Sequence, residues 1–275
     1  MDEYVAPTPT PELENKNEDL EFAKDLVRRA GERICAMLQG NFETRWKEDN
    51  TPVTEIDILI NSMVLEHLTQ RYPSDRVYGE EESSSEVIGE YTWVLDPIDG
   101  TQALGKLDTF TVCLARLDAD GQPLFSVVYN PLRDELYEAE RGGQTLLNGE
   151  PVRVSSKNVV KSSYIHFGSA LRFPDVVTNG VLYDHLEDAG AKIFNTRSLA
   201  HGCVEVAKGE FEAAFIGVRM PFEAASVKLI VEGAGGRVTD LYGKESGRLD
   251  GEIRGMLVSN GTEVHDELVA ALRSN

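Results

Sequence analysis

The most informative stretch of the chain is WVLDPIDGT, residues 93–101. Its apolar beginning predicts a buried strand that ends at Asp96 and Asp99, with Pro97 limiting the backbone between them. Two carboxylates at a strand end can bind a pair of hard cations, which prefer carboxylate oxygens as ligands. If a helix begins after Gly100, its free N–H groups can receive a phosphate beside those cations. Taken alone, the same stretch also fits a tight turn with a helix cap.

Three further acidic residues fall at the ends of predicted elements. Glu80 follows a short apolar strand, Asp57 stands at the start of a predicted helix, and Glu223 heads another helix far downstream. Acidic residues are common at helix starts, where a carboxylate stabilises the helix by about 0.3–1 kcal/mol. Together with the two aspartates of residues 93–101, however, they supply the oxygen ligands that a multi-metal phosphatase requires.

The net charge agrees with a site that collects cations. The 275 residues include 27 Lys and Arg against 47 Asp and Glu, which gives a charge of −20. This excess argues against nucleic acid polymers and anionic membranes as partners, because both require a basic footprint. No long apolar run and no signal-peptide pattern occur, so we expect a soluble, cytoplasmic protein. The three separated cysteines predict reduced thiols, and the five histidines lack the spacing of a zinc site.

Hydrophobic periodicity divides the chain into a tail and two halves. Residues 1–17 are polar and rich in proline, and we expect a flexible tail. Residues 18–155 predict an N-terminal α+β half that carries most of the metal ligands, and residues 156–275 predict an α/β half that completes the active site. The predicted helices cover about residues 18–40, 55–71, 174–189, 198–208, 223–233 and 262–273.

At these motifs the sequence resembles the inositol monophosphatase-like family of magnesium-dependent, lithium-sensitive phosphatases, related in fold to fructose-1,6-bisphosphatase. Three anchors carry the resemblance, in family order: PVTEID with GEE, then WVLDPIDGT, then an acidic residue followed by AA and EGAGGRVTD. The resemblance covers residues from about 18 to 273. It implies a layered αβαβα sandwich, a homodimer, and a phosphomonoesterase that uses metal-activated water and two to three Mg²⁺ ions per site.

The resemblance also implies a role for individual residues. Glu80, Asp96 and the Ile98 carbonyl resemble ligands of a first Mg²⁺, and Asp96, Asp99 and Glu223 those of a second. Asp57 with Glu80 would serve a weaker third ion. Thr101 would help Glu80 to orient or deprotonate the attacking water, so the expected catalytic residues are Glu80, Thr101 and Asp57.

The same resemblance indicates which residues meet the substrate. The positions that match family contacts to phosphate or substrate are Gly100, Thr101, Arg197, His201 and Phe215. Arg197 could instead make a surface ion pair. Lys47 and Asp49 fall where the family has a mobile loop over the metal site.

Three departures from the family pattern concern the pocket. Phe222-Glu223 replaces the usual Trp-Asp, residues 102–104 replace Thr-Asn-Phe, and Phe215 stands where members acting on inositol phosphates carry a glutamate. If Phe215 lines the pocket, it offers no hydrogen-bond acceptor, and the enzyme should not be a strict inositol monophosphatase. The alternative is that Phe215 packs in the core of a strand.

The sequence leaves the physiological substrate open. The candidates are myo-inositol phosphates, fructose-1,6-bisphosphate or another sugar phosphate, histidinol phosphate, and 3′-phosphoadenosine 5′-phosphate. The competing hypothesis, from another class of protein, is a catalytically silent relative that binds a metal or a phosphorylated ligand as a regulator.

Overall fold

A computed structural model describes residues 11–47, 52–84, 89–168 and 179–273. Six helices form in this part of the chain: α1 Pro11–Met37, α2 Glu55–Arg71, α3 Asn179–Asp188, α4 Leu199–Ala207, α5 Phe222–Gly233 and α6 Glu263–Arg273. The strands are β1 Thr44–Trp46, β2 Pro52–Thr54, β3 Arg76–Gly79, β4 Thr92–Asp99, β5 Thr111–Leu117, β6 Pro123–Asn130, β7 Glu135–Glu140, β8 Leu146–Leu147, β9 Glu150–Pro151, β10 Tyr164–Phe167, β11 Lys192–Phe194, β12 Ala213–Ile216, β13 Arg237–Thr239 and β14 Met256–Ser259.

Two large sheets and a short hairpin account for these strands. The first sheet has the order β3-β4-β5-β6-β7-β8-β9, and its neighbours are antiparallel except for the parallel pair β3 and β4. Two of its connections are tight turns, at Gly121 and at Asn148-Gly149, where all three residues have the positive φ angles that such turns require. The second sheet has the order β11-β10-β12-β14-β13. Strands β1 and β2 pair separately.

The helices lie in three layers around the two large sheets. Helices α1 and α2 cover one face of the first sheet, where Val64 and Trp93 are fully buried. Helices α4 and α5 fill the space between the sheets, and every residue from 200 to 207 is buried because α4 has a sheet on either side. Helices α3 and α6 cover the outer face of the second sheet. These five layers confirm the predicted αβαβα sandwich.

Helix α1 begins earlier than the sequence predicts. It starts at Pro11, so residues 11–17 are helical and the expected tail does not extend to residue 17. A proline fits the first helical turn because its missing N–H would have no intrahelical partner there. Residues 1–10 of the expected tail, and residues 174–178 of the third predicted helix, lie outside the described residues.

Two negative findings concern the described residues. No helix among them combines the length and apolar character needed to cross a bilayer. The three cysteines carry free thiols, as predicted, and Cys113 and Cys203 are buried.

Candidate active site

A bulge in β4 brings the two aspartates of residues 93–101 to the same face of the sheet. Side chains three residues apart on a regular strand point to opposite faces. Asp96 pairs with Cys113 and Asp99 with Thr111, so β4 contains one residue more than β5 between these pairs. Pro97 lies in this bulge, where a missing N–H removes no ladder bond. Both carboxylates therefore face the α4 and α5 layer.

Asp99 is held by the start of α4. Its carboxylate accepts hydrogen bonds from the Ala200 N–H at 2.8 Å, the Leu199 N–H at 3.1 Å and the Ser198 hydroxyl. Gly100 allows this close approach, because it adopts φ +91° and an added Cβ would lie 2.7 Å from the Ser198 Cβ. The residue after Asp99 must therefore be a glycine.

Thr101 and Asp57 form a hydrogen-bonded pair. Thr101 starts a short 3₁₀ turn, Thr101–Ala103, and its hydroxyl donates to Asp57 Oδ1 at 2.8 Å. The other oxygen of Asp57 accepts the Thr54 N–H at 2.7 Å as part of the capping box that begins α2. Asp57 thus lies behind Thr101: its Oδ1 fixes the orientation of the Thr101 hydroxyl, and its Oδ2 is held by Thr54.

Glu80 stands in a tight turn after β3. Gly79 has no room for a side chain there, since a Cβ would lie 2.4 Å from the Glu82 carbonyl oxygen and 2.5 Å from Asn61 Oδ1. Asn61 projects from α2 and donates its amide to the Glu82 carbonyl at 2.9 Å, which ties the turn to that helix. The Glu80 carboxylate then contacts the Lys47 ammonium at 3.0 Å.

One cleft of about 1080 Å³ collects most of these residues. Glu223, at the start of α5, is only 6% exposed and joins it from the far half of the chain. Phe222 packs on Tyr78 with ring centroids 5.0 Å apart, and both rings line the cleft. Eight predicted site residues line the cleft: Glu80, Asp96, Ile98, Asp99, Gly100, Thr101, Arg197 and Glu223.

The carboxylates in this cleft repel one another. Burial raises the pKa of Asp96 well above its usual range, and the charges of Glu80, Asp99, Glu223 and Asp57 raise it further. Burial also raises the pKa of Glu223, and the charges of Asp99 and Glu80 add to this shift. The same cause raises the pKa of Asp99, Asp57 and Glu80, against the opposing effect of their hydrogen bonds. Neutralising such a cluster calls for cations or protons.

The donor set fits hard divalent cations such as Mg²⁺, although it does not form a finished coordination shell. It consists of oxygens from Glu80, Asp96, Asp99, Glu223 and the Ile98 carbonyl. Among the described residues, no three His, Cys, Asp or Glu side chains are gathered closely enough to bind one ion. One of these carboxylates, Glu80, instead contacts the Lys47 ammonium.

The structure does not bring two residues expected as substrate contacts, His201 and Phe215, to the cleft, and for Phe215 it favours the alternative of a core position. His201 does not line the cleft, because its ring is 2% exposed and points into the core, with Nε2 3.5 Å from Glu205 Oε1. Burial lowers its pKa to about 3. Phe215 is fully buried and packs on Phe167, with centroids 5.6 Å apart. Residues alternate along β12, and Phe215 faces α3 and α6 while the cleft lies on the other face.

Three residues that support the site escape sequence reasoning. Ser198 holds Asp99, and its position before a predicted helix is a usual N-cap signal that could have indicated it. Asn61 is a polar residue within the apolar stripe of α2, which is the signal for a buried hydrogen-bonding role. Lys47 is predicted only as part of a loop, and no local pattern shows its contact with Glu80. Asp49 lies outside the described residues.

Known proteins resemble this chain in both sequence and fold. The sequence profile of the inositol monophosphatase family matches residues 15–275. The histidinol-phosphatase of Chlorobaculum parvum is 31% identical over 256 residues, which are 92% of this chain and 96% of that protein. The fructose-1,6-bisphosphatase/inositol-1-monophosphatase of Thermotoga maritima is 29% identical over 91% of this chain and 94% of its own length. A solved structure of a Thermotoga maritima IMPase superposes with a TM-score of 0.82 at 28% identity, covering 92% of this chain and 96% of that chain.

Proposed function

The chain belongs to the inositol monophosphatase family of phosphomonoesterases, and from this premise we propose that it hydrolyses small phosphorylated metabolites with Mg²⁺ bound in the acidic cleft. The observation that carries the proposal is the buried carboxylate cluster, in which four other acidic side chains raise the pKa of Asp96. A cluster of this kind is costly unless cations neutralise it.

In this proposal Mg²⁺ is held by Glu80, Asp96, the Ile98 carbonyl, Asp99 and Glu223, with Asp57 near a weaker third position. The ions supply charge neutralisation and a lowered pKa of bound water, which a phosphate dianion needs because it repels hydroxide. Because water attacks the phosphate ester directly, the reaction requires no covalent intermediate with the protein.

The protein's own contribution is to orient water and hold the ligands. Thr101 donates its hydroxyl proton to Asp57, so its oxygen keeps lone pairs that can accept a hydrogen bond from the attacking water. Asp57 accepts this hydrogen bond, and Glu80 lies near enough for the charge of Asp57 to raise its pKa. The hydrogen bonds from the start of α4 hold the Asp99 side chain in one rotamer.

The cleft supports broad acceptance of substrates rather than a strict preference for inositol phosphates. Its acidic residues are the proposed metal ligands and the neighbours of Glu80. The other described side chains that line it are aromatic, aliphatic, hydroxyl, amide or cationic, and they include Tyr78, Phe222, Leu199, Val218, Met220, Pro52, Ser83, Thr101, Ser198, Gln102, Lys47, Arg197 and Arg219. Apart from the proposed metal ligands and the neighbours of Glu80, the described part of the cleft therefore offers a polyol no carboxylates that could accept hydrogen bonds from its hydroxyl groups. The rings of Tyr78 and Phe222, tilted 52° to each other, offer aromatic surface to a substrate that carries a planar group, such as the imidazole of histidinol phosphate.

The experiment is a comparison of kcat/KM across esters in saturating Mg²⁺. The panel contains myo-inositol 1-phosphate, fructose-1,6-bisphosphate, histidinol phosphate and 3′-phosphoadenosine 5′-phosphate. We expect several of them to be hydrolysed, with no ester preferred over all others by more than about a hundredfold, or ~2.7 kcal/mol. A preference for myo-inositol 1-phosphate beyond that limit would contradict the proposed breadth.

Metal choice gives a further test. Ca²⁺ accepts looser coordination at about 2.3–2.6 Å, whereas Mg²⁺ requires a tight octahedron near 2.0–2.1 Å that keeps waters in place. We therefore expect Ca²⁺ to support little or no turnover, and from the family resemblance we expect Li⁺ to inhibit. Equal rates with Ca²⁺ and Mg²⁺ would contradict the geometric reason. We also propose a cytoplasmic homodimer, which sedimentation equilibrium of the purified protein tests for its oligomeric part.

A further inference from the structure

Lys47 contacts a carboxylate oxygen of Glu80, which is one of the proposed metal ligands. Its ammonium lies 3.0 Å from Glu80 Oε1 and 2.6 Å from Glu81 Oε1. The three side chains are 26%, 30% and 11% exposed, so the contact is largely shielded from water. An ion pair in such a place is stronger than one on an open surface.

The other charges that face Glu80 are negative. Asp57 raises the pKa of Glu80 by its charge, and Asp96 shares a hydrogen bond with it. Lys47 is the cation that contacts Glu80 in the part of the chain that the structure describes. It therefore supplies, from within the protein, part of the neutralisation that a divalent ion would supply from outside.

We propose that Lys47 is a positioning residue that acts as a tethered counter-ion: it holds Glu80 while the metal is absent and competes with the divalent cation for that carboxylate, with Glu81 as its anchor. The inference rests on the proposed function, in which Glu80 binds a cation. The consequence is weaker Mg²⁺ binding than the same site would show without Lys47, since the cation must displace a positive charge that the chain itself provides.

The space around Lys47 allows its side chain to move away from Glu80. A second cavity of about 470 Å³ lies beside the cleft and is lined by Lys47, Val53, Ile58 and residues 80–82. Lys47 lines both cavities, so its ammonium can leave Glu80 and remain paired with Glu81. Retaining one partner makes the displacement less costly than exposing an unpaired buried carboxylate would be.

The test measures Mg²⁺ binding directly, by calorimetry on the full chain without substrate. Lys47→Met should bind Mg²⁺ about tenfold more tightly than wild type, because competition and charge repulsion are removed together. Lys47→Arg keeps the charge and should stay within about threefold of wild type. Lys244→Met is the matched control, since it removes one positive charge from an exposed position that does not line the cleft.

Each outcome decides between the alternatives. Equal or weaker binding by Lys47→Met, or equal tightening by Lys47→Arg, would overturn the inference while leaving the metal site intact. A similar gain in Lys244→Met would assign the effect to net charge alone and would also overturn it. Absence of Mg²⁺ binding in every variant would overturn the proposed function and this inference together.

Thermal melting gives a second test that, like the calorimetry, does not depend on catalysis. In EDTA, Lys47→Met should melt at a lower temperature than wild type, because Glu80 and Glu81 lose their cation. Added Mg²⁺ should then raise the melting temperature of this variant more than that of wild type. An equal Mg²⁺-induced rise in both proteins would count against the inference.

Discussion

At the scale of single residues, Asp99 serves both the fold and the cleft, and the two roles can be separated. Asp99→Asn keeps one acceptor oxygen for the N–H groups of α4, so we expect the free energy of unfolding to change by no more than about 1–2 kcal/mol. It also relieves part of the repulsion with Asp96. Phosphate release should fall by at least about a hundredfold, because a charged ligand is lost. Activity within a few-fold of wild type in saturating Mg²⁺ would rule out Asp99 as a metal ligand.

Residues that sit in short local motifs were predictable, and those whose role depends on packing were not. The spacing within residues 93–101 and Gly79 beside Glu80 indicate their own backbone geometry, and four of the five predicted carboxylates, Glu80, Asp96, Asp99 and Glu223, line one cleft. The sequence allows the side chains of Phe215 and His201 to point either toward the cleft or into the core. Which face is buried depends on the layers above and below, and a single sequence does not show those layers.

At the scale of secondary structure elements, the turn after β3 controls the position of Glu80. Gly79→Ala places a Cβ against a backbone carbonyl and Asn61, so we expect a loss of about 1–3 kcal/mol in stability and about tenfold in kcat/KM. Gly251→Ala is the matched control, because a Cβ there meets nothing within 4 Å. Chemical denaturation and steady-state kinetics measure both effects. Normal kinetics in Gly79→Ala would show that the turn does not position Glu80.

Strand β12 offers a test of the corrected role of Phe215. Phe215→Leu should cost about 1–2 kcal/mol of stability, because it removes ring contacts with Phe167 under α3 and α6. The relative kcat/KM values for the ester panel should stay within about twofold of wild type. A changed order of substrates in this variant would mean that Phe215 reaches the cleft after all.

The order of elements was largely predictable because the period of the apolar residues changes from helix to strand along the chain. All six described helices overlap their predicted ranges, although α1 begins at Pro11 rather than near residue 18. The bulge in β4 was not predictable from periodicity, since every residue of β4 is buried and no alternation of apolar and polar residues exists for an extra residue to interrupt. That bulge nevertheless decides that Asp96 and Asp99 share a face.

At the scale of the whole molecule, buried histidines should make stability depend on pH. Burial lowers the pKa of His265 to about 4, below the usual value near 6.5. The unfolded chain then binds a proton that the folded chain does not, so stability is lost as pH falls from about 6.5 toward 4. Between pH 7 and pH 5, wild type should lose about 1–2 kcal/mol more than His265→Gln. Parallel curves of unfolding free energy for the two proteins would contradict this expectation.

The comparison with His265→Gln also isolates that histidine from the active-site carboxylates. Their raised pKa values act in the opposite direction, since a folded state that holds protons more tightly loses stability as pH rises. Both proteins carry the same carboxylates, so that contribution cancels in the difference. Saturating Mg²⁺ should reduce the carboxylate contribution in both proteins and leave the histidine contribution unchanged.

The most direct measurement of the central claim, that the acidic cleft needs divalent cations to hydrolyse phosphate esters, is phosphate release before and after metal removal. The purified chain is treated with EDTA, exchanged into metal-free buffer, and assayed on the ester panel with and without added Mg²⁺. We predict no release above background without metal and recovery of the original rate in saturating Mg²⁺. An undiminished rate in metal-free buffer would contradict the claim.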